Sequence, residues 1–218
     1  MVVASGTGSG KTECFYLPIL ADILREAVHW PSTNGPAGPG EWNARRKQWQ
    51  HGRRHEARPA GMRAIVMYPM NALVNDQLRR LRTTLDSSES LAWQQNELRG
   101  NLIHFGRYTS QTELPGHPEE DRGRRRWKEY AGKIATGWES VGEDLRSSGG
   151  WPRPDGAEML SRWDMQAAPP DILVTNYSML EYMLVRPIEA DIFEKTREWL
   201  AMSPDHDAVG EFRRRLDQ

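Results

Sequence analysis

A run of small residues between two apolar segments constrains the fold of this chain more than any other feature. The chain begins MVVASGTGSGKTECF, in which residues 2–5 predict a short buried strand. Residues 12–28 follow the small residues and carry apolar side chains at helical spacing, with Pro18 tolerable near the start of a helix. A strand that leads through a glycine-rich loop into a helix predicts an α/β fold built around that loop.

The chemistry of the loop suits a phosphate group. Backbone N–H groups of small residues wrap a phosphate, a lysine reaches its charge, and a Ser or Thr hydroxyl binds the accompanying Mg²⁺. Lys11 and Thr12 would fill the last two roles, although Ser5 stands where the general pattern has glycine. The cradle would be formed by Gly6, Thr7, Gly8, Ser9 and Gly10. We therefore predict a nucleotide site with Mg²⁺; the alternative is a glycine-rich turn that precedes Lys-Thr by chance.

Three further apolar segments predict strands, at residues 63–69, 102–106 and 171–175. Helices are predicted at 71–85, with Asn71 as the N-cap, and near 178–185 and 188–200. The strands show no apolar–polar alternation, which is typical of a sheet covered on both faces. Strands that alternate with helices and are joined by right-handed crossovers predict an α/β fold with a parallel sheet.

Two polar stretches, about 30–62 and 110–168, lack periodicity and predict irregular insertions, the first of them exposed. Both contain arginine clusters and tryptophans, namely Trp42, Trp49, Trp127, Trp138, Trp151 and Trp163. Basic residues interleaved with aromatic ones suit single-stranded nucleic acid. We favour the alternative that the tryptophans anchor the insertions while the arginines form a solvated face; a partner subunit is a third possibility.

The sequence argues against a protein with internal disulfides and against one with a membrane-spanning helix. The single cysteine, Cys14, cannot form a disulfide within the chain, and no apolar run approaches the ~20 residues of a membrane span. The net charge of −1 does not by itself demand a nucleic-acid partner. No histidine has a partner at metal-ligand spacing, so Mg²⁺ at the nucleotide is the one metal expected. These features favour a cytoplasmic protein without membrane contact.

Four blocks in a fixed order resemble superfamily 2 helicases of the DEAD/DEAH-box kind. They are TGSGKTECF, MYPMNALVNDQLRRL, FGRYTSQT at 105–112 and DILVTNYSMLEYMLVRP at 171–187, and they cover roughly a third of the chain. The resemblance is strongest to large bacterial helicases of DNA repair and of anti-phage systems such as DISARM. It implies a RecA-like first lobe, ATP with Mg²⁺ at the loop, and a nucleic-acid partner, single-stranded DNA or else RNA.

The same resemblance implies a nucleic-acid track where strands lead into helices. The implied residues are Pro69, Asn71, Arg107, Thr109, Thr175 and Asn176. A helix N-terminus offers free N–H groups and positive potential, which hold a phosphate without reading bases. Ordinary helix caps at 69–71 and 175–176 are the alternative interpretation.

The resemblance also implies an Asp-Glu pair after an apolar strand, which binds Mg²⁺ and positions the attacking water. No apolar strand in this sequence ends in Asp-Glu, so no catalytic residue is predicted within it. We expect the front half of a first lobe, which by itself binds nucleotide weakly and hydrolyses it negligibly. Further subunits or the remaining helicase lobe would then be partners. The alternatives are a non-catalytic remnant that binds nucleic acid or a partner, and a different P-loop ATPase or kinase.

Overall fold

The structure, a computed structural model, describes residues 11–34, 49–69, 71–118 and 121–202. Its strands are β1 (Ala64–Tyr68), β2 (Phe105–Tyr108), β3 (Glu158–Met159) and β4 (Ile172–Asn176). Its longer helices are α1 (Lys11–Ala27), α2 (Asn71–Leu85), α3 (Ser88–Glu97), α4 (Asp121–Ser140), α7 (Tyr177–Val185) and α8 (Ala190–Met202). Shorter helices are α5 (Glu143–Ser147), α6 (Arg162–Ala167) and two 3₁₀ turns, Gly52–His55 and Pro187–Glu189. The strand predicted at residues 2–5 lies outside the described residues.

The four strands form a parallel sheet in the order β1-β4-β2-β3. Strand β4 lies between β1 and β2, and its first four residues are buried. Apolar side chains of α1, α2 and α3 pack on one side of the sheet, and those of α7 and α8 pack in a second cluster. The predicted α/β class is confirmed, as are the predicted helices over 12–28, 71–85, 178–185 and 188–200 to within about two residues.

The third predicted strand begins later than expected, at Phe105 instead of Leu102. The backbone N–H groups of the three preceding residues donate to side-chain oxygens: Leu102 to Glu56, Ile103 to Gln94 and His104 to Asp171. A strand ladder requires backbone partners, so this buried apolar segment stays outside the sheet even though its composition is that of a strand.

The prediction that both faces of the sheet are covered is correct for β4. For β1 it is wrong within the described part of the chain. Ile65 and Met67 point to the same side of β1 and are 42% and 51% exposed. Val66, on the other side, is buried in the core.

The second predicted insertion is not irregular, because residues 121–167 form α4, α5, β3 and α6. Trp127, Ala131 and Ile134 share one face of α4 and pack with Leu160 and Trp163 in a separate core cluster. Trp127 and Trp163 are fully buried, which confirms for these two residues that tryptophans anchor the segment. They are core side chains and offer no surface for stacking on bases.

Over residues 49–62, the first predicted insertion is only partly exposed: Gln50, Ala57 and Pro59 are exposed, and the other residues are buried or half-buried. Arg53 and Arg58 are buried although their sequence neighbourhood is polar. Arg58 pairs with Asp171 at the start of β4, and its guanidinium lies 3.6 Å from the ring centroid of the buried Trp30. This segment therefore closes the amino-terminal end of the sheet.

None of the helices in the described part of the chain has the length and the apolar character of a membrane span.

Candidate nucleotide and nucleic-acid sites

The carboxyl ends of β1, β4 and β2 meet at one edge of the sheet, as expected for parallel strands. Tyr68 is in register with Asn176, and Thr175 is in register with Tyr108. Helix α2 begins at Asn71 and helix α7 at Tyr177. The N-termini of two helices therefore lie at the edge where the sequence placed a nucleic-acid track, and we refer to it as the carboxyl edge.

Two asparagines connect these helix N-termini. Asn176 Nδ2 donates to Asn71 Oδ1 at 2.8 Å, while Asn176 Oδ1 accepts the backbone N–H of Met179 at 2.8 Å. Asn176 is thus the N-cap of α7. Asn71 is the first residue of α2, one position inside the helix from its predicted place at the cap. Both side chains are partly exposed.

Arg107 brings a cation to the same edge. Its Nη1 donates to Asn75 Oδ1 at 2.6 Å and to Gln111 Oε1 at 3.4 Å, and both acceptors are neutral amides. Partial burial lowers the pKa of its guanidinium from the usual value. No carboxylate of the described residues lies within ion-pair distance of Arg107, so its positive charge is not neutralised by a direct partner.

The two threonines of the predicted track are buried, which alters the role that sequence reasoning gave them. Thr109 and Thr175 are both 0% exposed. Thr175 Oγ1 donates to the Tyr108 carbonyl at 2.6 Å, and Thr109 Oγ1 accepts the Gln111 N–H at 3.2 Å. These hydroxyls hold β4, β2 and the following loop together and have no surface to offer a phosphate.

The remaining predicted residue of the track, Pro69, is exposed directly after β1. Sequence reasoning missed Asn75, Gln111 and Tyr177, of which Tyr177 begins α7 and is 64% exposed. Asn75 follows Asn71 by one helical turn, and Gln111 falls within the block FGRYTSQT, so both positions carried a usable signal. Tyr177 had no sequence signal of this kind other than its position next to Asn176.

The predicted nucleotide site is only partly within the described residues. Gly6, Thr7, Gly8, Ser9 and Gly10 lie outside them, and α1 begins at Lys11 and Thr12, whose side chains are also outside. A helix that starts directly after the glycine run presents its free N–H groups to the loop. The donor set of this loop, a lysine and a hydroxyl at a helix N-terminus, fits a nucleotide phosphate with Mg²⁺.

Comparison with known proteins identifies the fold family. Residues 1–105, which include the glycine loop, β1 and α2, match the family model described as DEAD/DEAH box helicase. Residues 1–105 therefore belong to the DEAD/DEAH box helicase family. The parallel sheet flanked by helices is accordingly the RecA-like P-loop fold that the resemblance implied. In this family, ATP with Mg²⁺ is the usual cofactor.

One curated relative of this helicase domain is the Druantia protein DruE of Escherichia coli strain UMEA 4076-1. It is 33% identical over 243 residues, an alignment that covers 92% of this chain and 12% of the relative. The chain thus spans a small part of the length of that protein. No solved structure matches the chain.

Proposed function

We propose that this chain is the ATP-binding part of an ATP-dependent helicase or translocase that moves along single-stranded DNA. The observation that carries the proposal is the arrangement at the carboxyl edge. Asn71 and Asn176 are hydrogen-bonded to each other there, and Arg107 has no carboxylate partner among the residues that the structure describes. Membership of the helicase family supports the nucleotide half of the proposal.

The edge suits a sugar-phosphate backbone better than bases. Free N–H groups at the starts of α2 and α7 and the Arg107 guanidinium all favour an anion. Contacts of this kind fix the position of a strand and carry no sequence information. Thr109 and Thr175 would act on the strand indirectly, because their buried hydroxyls hold the loops that present Arg107 and Asn176.

At the other site, residues 6–10 would wrap the nucleotide phosphates, Lys11 would neutralise their charge, and Thr12 would bind Mg²⁺. Bound ATP would supply the phosphoryl-transfer energy for movement along the strand. The sequence contains no apolar strand that ends in Asp-Glu. Since phosphoryl transfer depends on groups that bind the metal and position water, we expect this chain alone to bind ATP and to hydrolyse it negligibly.

The alignment with the Druantia relative supports a proposal about the longer protein to which this chain corresponds. Because 92% of this chain aligns with a Druantia protein, we infer that the chain corresponds to a segment of a protein of that type. The remaining part of such a protein would be its natural partner.

Calorimetric titration of the chain with Mg·ATP, next to a Lys11→Ala variant, tests the nucleotide half. Binding that disappears in the variant supports the proposal. Absence of binding by a folded wild-type chain favours the second candidate, a remnant that binds nucleic acid or a partner without using its loop.

Fluorescence anisotropy with a labelled oligo-dT strand, measured on wild type and Arg107→Gln, tests the DNA half. Equal affinity of the two proteins would contradict the role of the carboxyl edge.

A further inference from the structure

A groove of about 530 Å³ lies beside the carboxyl edge, between the loop that follows β2 and helix α4. Its charged and aromatic lining residues are Arg126, Lys133, Arg162, Glu113, Glu129 and Tyr130. Helix α4 belongs to the segment that no block of the family resemblance covers. We refer to this feature as the α4 groove and ask what it binds.

Arg162 is a cation that lines the α4 groove and whose hydrogen bonding is incomplete. The residue is 8% exposed, yet no carboxylate in the described ranges lies within ion-pair distance of its guanidinium. Its Nη2 donates to the Thr109 carbonyl at 3.0 Å, and its Nε has no hydrogen-bond partner among the described residues. A buried arginine normally faces a carboxylate or another anion, because an unpaired buried charge is costly.

The position of Arg162 is fixed by its surroundings. Its backbone N–H donates to the Glu113 carbonyl at 3.1 Å, and Ser161, the preceding residue, caps α6. Its guanidinium lies 5.3 Å from the ring centroid of Tyr108, which is itself fully buried. The cation is therefore held in place before any ligand arrives.

The α4 groove is continuous with the carboxyl edge. Gln111 lines the groove and also accepts a hydrogen bond from Arg107. Thr112, another lining residue, donates to the Arg107 carbonyl at 2.7 Å and accepts the Thr109 N–H at 2.9 Å. A nucleic-acid strand that contacts Arg107 is therefore one loop away from Arg162. Hydrogen bonds of the loop's own side chains fix the conformation of that loop.

We propose that the α4 groove binds phosphates of the single strand that runs along the carboxyl edge, with Arg126, Lys133 and Arg162 as the cations that contact them. This inference rests on the proposed function, since it extends the same track. Glu113 and Glu129 also line the groove, so three cations face two carboxylates. The contact is accordingly local, on individual phosphates, and does not depend on a broad positive field.

The test uses the 218-residue chain and a fluorescein-labelled oligo-dT strand. Arg126→Gln/Lys133→Gln removes two cations at exposed positions, so the fold should be retained, as circular dichroism would check. Arg125→Gln/Lys128→Gln is the matched control, because it also removes two cations, and both residues are exposed on the same helix and do not line the groove. We expect roughly tenfold weaker binding for the groove variant and a slope of log K against log salt smaller by about 1.4, at ~0.7 per lost contact.

Lysine acetylation supplies a readout without mutation. Lys133 should become protected from acetylation when oligo-dT is bound, whereas Lys128 should react equally with and without the strand. Equal affinity of the groove variant and the matched control variant, or an unprotected Lys133, would overturn this inference alone if Arg107→Gln still weakens binding. Absence of strand binding by the wild-type chain would overturn this inference together with the proposed function.

Discussion

Arg58 and Asp171 form a fully buried bidentate pair, with distances of 2.7 and 2.8 Å from the two guanidinium Nη atoms to the carboxylate oxygens. The pair joins the segment before β1 to the first residue before β4, at the end of the sheet opposite the candidate nucleic-acid track. Arg58 and the neighbouring Arg53 hold the pKa of the Asp171 carboxyl far below its usual value, against the effect of burial. The carboxylate also accepts the His104 N–H, so one side chain fixes three chain segments.

The first prediction concerns this pair. Arg58→Met should lower the free energy of unfolding by about 3–5 kcal/mol, because it leaves a buried carboxylate without its main partner. Arg58→Met/Asp171→Asn should recover part of that loss, since it removes the uncompensated charge. Urea unfolding followed by circular dichroism measures both. Arg25→Met, which breaks an exposed pair with Asp22, is the control and should change stability little. A similarly small effect of Arg58→Met would contradict the structural role of the pair.

This buried network also explains what sequence reasoning missed. Arg53 and Arg58 occur in the run RRHEAR, whose composition is that of a solvated loop. Their buried partners include Glu56 nearby but also Asp171, which is 113 residues away from Arg58. Periodicity and composition report on local neighbours, so a long-range ion pair leaves no trace in them.

Helix α4 was not predicted from the sequence, for a different reason. Trp127, Ala131 and Ile134 follow helical spacing, so the signal was present but was obscured by the surrounding arginines and glycines. The carboxyl edge, in contrast, followed from the sequence because polar residues after parallel strands must meet at one edge. The burial of Thr109 and Thr175 could not be predicted, since it depends on how the loop after β2 folds back.

The second prediction is a pH dependence centred on Asp86. Burial raises the pKa of the Asp86 carboxyl to about 7, and the Glu158 carboxylate adds to the increase. The unfolded chain releases this proton near pH 4, so between about pH 4 and 7 the folded state binds more protons. The free energy of unfolding should therefore fall as pH rises through that window, by up to about 1.4 kcal/mol per unit. Asp86→Asn removes this contribution.

Urea unfolding of wild type and Asp86→Asn at pH 5, 6, 7 and 8 measures the effect. The difference between the two proteins should shift in favour of the variant as pH rises. The amide oxygen of the variant can still accept the Ala157 N–H that Asp86 Oδ1 accepts in the wild type. A difference that is constant across the series would contradict the raised pKa.

The third prediction concerns the anchoring of α4 by a tryptophan. A Cβ at Gly137 would overlap Trp151 Cζ2, and the indole Nε1 of Trp151 donates to the Ile134 carbonyl at 3.3 Å. Gly137→Ala should therefore destabilise the fold by about 1–3 kcal/mol, because the ring must move. A Cβ at Gly132, in the same helix, would meet no atom within 4 Å. Gly132→Ala should stabilise by ~0.5–1 kcal/mol, and the same sign for both variants in thermal unfolding would contradict the packing.

The fourth prediction separates the two roles of Asn176. Asn176→Asp keeps an N-cap acceptor for the Met179 N–H but removes the amide that donates to Asn71 and adds a negative charge at the carboxyl edge. Thermal unfolding of this variant should match wild type closely, while oligo-dT affinity measured by anisotropy should fall roughly tenfold or more, because the added carboxylate repels phosphates. Asn176→Ser, the control, also keeps a capping group and adds no charge, so it should bind more tightly than the Asp variant. Equal affinities of the Asp and Ser variants would mean that no phosphate approaches Asn176.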